Sequence, residues 1–205
     1  MTALAGDPGS FRDPANRVYI LNSATVGEPA RVLRGVSQET AHHLASLFDT
    51  DFYKDLLRRG YVVPTSVVDT DDPMFKAILE DGWHSVLEHE TIPFVSYPYE
   101  WSFSMLKDAA LLQLRVIRDA LENGWTLKDA TPYNVQFRGS QPVFIDIPSF
   151  VPREDGEAWV GYRQFCSMFL FPLMIRSHLG IDHLPLLRSY LDGIPPTEAE
   201  KNFTA

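Results

Sequence analysis

Between Ser102 and Asn123 the chain repeats Met105, Ala109, Leu112, Val116 and Ala120 at three- and four-residue intervals. That period lines them along one face of an α-helix and leaves the charged residues on the other. Ser102 is a suitable first cap, and Gly124 is suited to ending the helix in a left-handed turn. A long helix with one apolar stripe must bury that stripe, so folded structure is required on at least one side of it. The helix also divides the chain into two kinds of sequence.

Before it, the pattern alternates between strands and short helices. Residues 1–16 are rich in Gly, Pro, Asp and Asn and read as a loose arm. RVYIL (17–21) and ARVLRGV (30–36) read as strands, Ser37 as the cap of a helix, and 51–59 as a helix stopped by Gly60. An acidic loop, VDTDDP, precedes two more strands at 85–90 and 92–97. After the long helix come a loop and hairpin, LKDATPYNVQFRGSQPVFID (127–146). A long helix follows over 158–179, apolar on nearly every face and kinked at Pro172. The order predicts an α+β chain in two lobes. Residues 1–16 form a flexible arm, 17–97 a small lobe of antiparallel strands, and 98–205 a reduced helical lobe carrying the hairpin. The join falls near SYPYEW (96–101).

Composition narrows the functions. The 205 residues carry a net charge of −9 and a pI near 5.1, which speaks against a general nucleic-acid binder. The most apolar stretch, FCSMFLFPLMI (165–175), is well short of the roughly 20 residues that a membrane helix requires. The N-terminus has no basic segment leading into an apolar core. A soluble, cytoplasmic protein with no membrane or nucleic-acid partner is expected. Cys166, the sole cysteine, lies in an apolar run and reads as a buried thiol.

The hairpin stretch holds the chemistry. Asn134 follows Asp129 by five residues, and Asp146 follows Asn134 by twelve. Pairing 135–137 with 143–145 around the turn RGSQ brings Asn134 and Asp146 to one end of the hairpin. Two readings stand: ordinary Asx residues making turns, or oxygen ligands arranged for a hard cation and phosphate. Elsewhere the signals are weaker. His84 and His89 would face opposite sides of a strand, and His42 and His43 diverge on a helix, so neither pair suits a metal. Ser149 has no histidine nearby in sequence to activate it. Tyr97, Tyr99 and Trp101 suit either a ligand-facing wall or aromatic packing.

The Asp129, Asn134 and Asp146 spacing resembles the catalytic loop and metal aspartate of the protein-kinase-like fold, including its small-molecule phosphotransferase branch. The resemblance implies ATP and Mg²⁺ as cofactors. It gives Asp129 the part of proton acceptor and makes Asn134 and Asp146 the metal ligands. It puts Lys128 in the position before the catalytic aspartate, and Tyr97 and Tyr99 in a hinge that receives adenine. Arg34 becomes a candidate phosphate contact, or else a solvated strand charge, and Gly27 the best candidate for a phosphate loop. The chain departs from the pattern in lacking a glycine after Asp146 and a glycine-rich loop. Only about 25 residues follow the second long helix, so the expected acceptor is a small hydroxyl compound and not a protein.

Residues 85–175 also resemble a bacterial family in which this region precedes a class I S-adenosylmethionine-dependent methyltransferase domain. That implies a methyltransferase partner. No G-x-G occurs in the chain, so it is not itself expected to methylate. Two functions stay open: a phosphotransferase, and a kinase-like binding module without phosphoryl transfer.

Overall fold

The computed structural model describes residues 6–8, 10, 13–21 and 30–203. They form two compact units, one reaching to Leu57 and resuming over Val63–Pro93, the other comprising Arg58–Val62 and Phe94 onward. The expected single break after residue 97 is therefore four residues late, and it misses a five-residue excursion into the second unit. Gly27 lies outside the described residues.

In the first unit, β1 (Asn16–Leu21), β2 (Arg31–Val36), β3 (Thr65–Val67) and β4 (Ser85–His89) form an antiparallel sheet in the order β1-β2-β4-β3. Tyr19, Leu33 and Val86 from the strands meet Val68 and Ile78 in a buried cluster. Gly35 permits a close approach here, because a Cβ would come within 2.4 Å of the Trp83 ring. Part of the expected arm is tied to β1, with Asp7 N donating to Val18 O at 2.7 Å and Val18 N to Ser10 Oγ at 2.8 Å. Helix α1 (Gln38–Phe48) starts at the Ser37 cap, whose hydroxyl accepts from Thr40 N, and α2 (Asp51–Arg58) ends just before Gly60 at φ 68°.

Three elements depart from the sequence reading, the first being β3, which was not expected. The acidic loop opens a further helix, α3 (Pro73–Glu80), with Asp72 as its cap and Pro73 at its first position. The strand expected over 92–97 is absent. Pro93 lies within it and Pro98 directly follows it, and neither can donate to a ladder.

The second unit is built on α4 (Phe103–Glu122), capped by Ser102 and followed by Gly124 at φ 79°. Its buried stripe includes Leu106, Ala109, Leu112, Val116 and Ala120, while Met105 is half-buried. Strand β5 (Trp125–Leu127) pairs with β8 (Phe150–Pro152), and β6 (Val135–Arg138) with β7 (Gln141–Phe144), both antiparallel. The expected single helix starts late and is interrupted: α5 (Tyr162–Phe165), a π-helical turn at Cys166–Leu170, then α6 (Phe171–Leu179). Pro172 has no N–H to give the preceding turn and would crowd it, and the widened turn accommodates both effects. Cys166 is buried, as expected. Helices α7 (Leu184–Ser189) and α8 (Pro196–Phe203) complete the unit, with Ile194 and Ala199 packed on Ile175. The chain is thus α+β, with an antiparallel sheet in one unit and a mainly helical second unit. No helix among the described residues is long and apolar enough to cross a membrane.

Candidate functional site

Strand pairing on both sides positions the loop between β5 and β6. Leu127 sits opposite Phe150 in the β5–β8 pair, and Lys128 N donates to Ser149 O at 2.9 Å. At the loop's other end Val135 sits opposite Phe144, and Ile145 N donates to Asn134 O at 2.8 Å. Thr131 caps a 3₁₀ turn over Pro132–Asn134, which sets the direction of Asn134. The middle of the loop is held from the helical side. Ala130 N donates to Gln164 Oε1 at 2.7 Å, and Trp159 Nε1 donates to Leu127 O at 3.2 Å.

The consequence is a close group of three half-buried polar side chains. Asn134 Nδ2 donates to Asp129 Oδ1 at 2.6 Å and, more weakly, to Asp146 Oδ2 at 3.5 Å. Ser149, fully covered, turns its hydroxyl to Asp129 Oδ1 at 3.4 Å. One amide therefore bridges two carboxylates that would otherwise repel each other. Among the described residues no three His, Cys, Asp or Glu side chains gather as a metal cluster. Magnesium needs no such cluster. It takes one or two carboxylates and keeps its other positions for water and phosphate oxygens. Asp146 with the amide oxygen of Asn134 is a donor set that fits it.

The remaining predicted site residues lie elsewhere. Lys128 is exposed beside Asp129 in the loop. Tyr97 and Tyr99 stack on each other, with ring centroids 5.4 Å apart and planes 5° apart, and Tyr97 is exposed. Arg34 belongs to β2 of the first unit and is buried there, which removes the reading of it as a solvated strand charge. It lies near enough to His89 for its charge to act on that imidazole.

The residues that sequence reasoning missed are supports. Gln136 is buried in β6 and pairs with the peptide of Ser96 through two hydrogen bonds of 3.0 Å. A glutamine between two apolar strand residues was the visible signal. Gln164 and Trp159 gave no signal, since each reaches more than thirty residues back along the chain.

No family model matches the chain. Among solved structures, the kinase PK-1 of Cydia pomonella granulovirus aligns with a TM-score of 0.46 at 14% identity, over 80% of this chain and 59% of that one. In sequence, the chain is 38% identical over 195 residues to nodulation protein NoeA of Rhizobium meliloti (strain 1021). That match takes in 94% of this chain but only 38% of NoeA, so the chain spans well under half of that relative.

Proposed function

We propose that the protein is a kinase-like, Mg²⁺–ATP-binding phosphotransferase acting on a small hydroxyl compound. The observation that carries this reading is the Asn134 amide set between the Asp129 and Asp146 carboxylates at the mouth of one hairpin. Asp146 and Asn134 would hold the cation, which neutralises charge on the phosphates. Asp129, outside that pair, would orient the acceptor hydroxyl and take its proton. The acceptor oxygen then bonds to the γ-phosphorus, and the bond to the bridging oxygen breaks and leaves its electrons on ADP. Lys128 beside the base and the Tyr97–Tyr99 stack are assigned to phosphate and adenine in the same reading.

A second reading has its own support. Residues 85–175 resemble a region that precedes a methyltransferase domain. On this reading the same site binds nucleotide without turnover and serves a methyltransferase partner.

Thermal unfolding with and without ATP and Mg²⁺ tests the shared part. The wild type is expected to gain several degrees and Asp146→Ala none. If the wild type gains nothing, nucleotide binding at the hairpin is wrong. Asp129→Ala separates the two readings. It is expected to keep the thermal shift and lose at least a hundredfold in ATP turnover with a hydroxyl acceptor. A wild type that binds but turns over nothing across an acceptor panel favours the accessory module.

A further inference from the structure

The turn end of the same hairpin, away from Asn134 and Asp146, borders a cavity of about 230 Å³ within the second unit. Three separate elements each bring one arginine to it. Arg59 comes from the excursion after α2, Arg115 from α4, and Arg138 from the hairpin turn, where it sits opposite Gln141. Tyr61 forms part of the wall, with the guanidinium carbon of Arg59 4.6 Å from its ring centroid and that of Arg115 5.9 Å away. Leu112, Pro142 and Val143 supply apolar wall, and no lining residue is acidic.

This is an unusual concentration of positive charge for a chain of net charge −9. Like charges around one cavity repel one another. The Arg59 guanidinium is also held in position, while Arg115 and Arg138 are exposed. Asp119 accepts from Arg59 and from the neighbouring Arg118. Burial pushes the Asp119 carboxyl up, but the two arginines outweigh it and hold the group below its ordinary value. The aromatic ring of Tyr61 gives Arg59 a face to rest on. Planar guanidinium forks match the oxygens of a phosphate group, and the modest volume suits a small molecule better than a folded partner.

We propose that the Arg59–Arg115–Arg138 cavity is a binding site for a small phosphate- or diphosphate-bearing ligand, separate from the Asp129–Asn134–Asp146 site. Inorganic pyrophosphate is the probe, titrated calorimetrically into the full chain at low ionic strength without divalent cation. The wild type and Asp146→Ala are expected to bind it equally, and the Arg115→Gln/Arg138→Gln double variant at least tenfold more weakly. Circular dichroism and the melting temperature check that the double variant stays folded. If it does not, Arg138→Lys keeps the charge, removes the planar fork, and is expected to weaken binding severalfold. No binding by the wild type overturns the proposal. So does full binding by the folded arginine variants. Loss of binding in Asp146→Ala alone would assign the anion to the hairpin mouth and overturn it too, while leaving the proposed function standing.

Discussion

His89 shows what a single buried side chain can impose. It closes β4, is 6% exposed, and its Nδ1 lies 2.8 Å from Thr65 Oγ1 on the paired strand β3. Burial, and then the nearby charge of Arg34, pull its pKa well below the ordinary 6.5. The folded state therefore prefers the neutral ring, while the unfolded chain takes up a proton as the pH falls through about 6.5. Stability held by neutral His89 is complete above that pH and drains away below it, by roughly 1 kcal/mol per pH unit for one proton. Urea denaturation at pH 7.5 and pH 5.5 is expected to show this loss in the wild type and much less of it in His89→Gln. Parallel losses in the two proteins would count against the assignment. Tyr19 is the counterpart at high pH: burial and its hydrogen bond to Asp81 push the phenol up to about 12, so it stays protonated where Trp83 Nε1 donates to it at 2.8 Å.

Strand β6 stabilises more than its own hairpin. Gln136 gives its carboxamide to both peptide groups of Ser96, as a neighbouring strand would, and Ser96 Oγ accepts from Trp101 Nε1 at 2.8 Å. Trp101 O in turn lies 3.2 Å from His183 Nε2. The segment before α4 is thus fixed by side chains in place of the strand pairing that its prolines forbid. Gln136→Ala would leave a buried N–H and a buried C=O without partners, so a loss of about 2–4 kcal/mol is expected in chemical denaturation. A loss under about 0.5 kcal/mol would mean that Ser96 finds other partners at no cost.

Across the whole molecule, the chain enters the second unit at Arg58, leaves it at Val62 and returns at Phe94. The short excursion carries weight. Tyr61 O accepts from Phe144 N at 2.8 Å, Val62 bridges to Phe144 in parallel, and Arg59 pairs with the covered carboxylate of Asp119. Residues 94–205 alone lose all three interactions. Their thermal midpoint is expected to lie about 5 °C below that of the same fragment carrying the 58–62 peptide on a flexible tether. Equal midpoints would refute a structural role for the excursion.

What could be read from the sequence, and what could not, follows the reach of the interactions. The ends of α4 are set by Ser102 and Gly124, and its buried stripe by local periodicity, so both were legible. The meeting of Asn134 and Asp146 depends only on a four-residue turn between two short strands, and the spacing already contained it. Helix α3 was legible in principle from Asp72 and Pro73, but the acidic run hid it. Other features depend on residues far apart in the chain: Gln136 with Ser96, Gln164 with Ala130, Arg59 with Asp119, and three arginines around Tyr61. Period, caps and turns are properties of neighbouring residues, and by themselves they determined the α+β class and the main elements around α4. Which distant polar groups meet is decided only when burial removes water and leaves each group to find a partner within the fold. The supports of the candidate site and the arginine-lined cavity therefore became visible only in the tertiary structure.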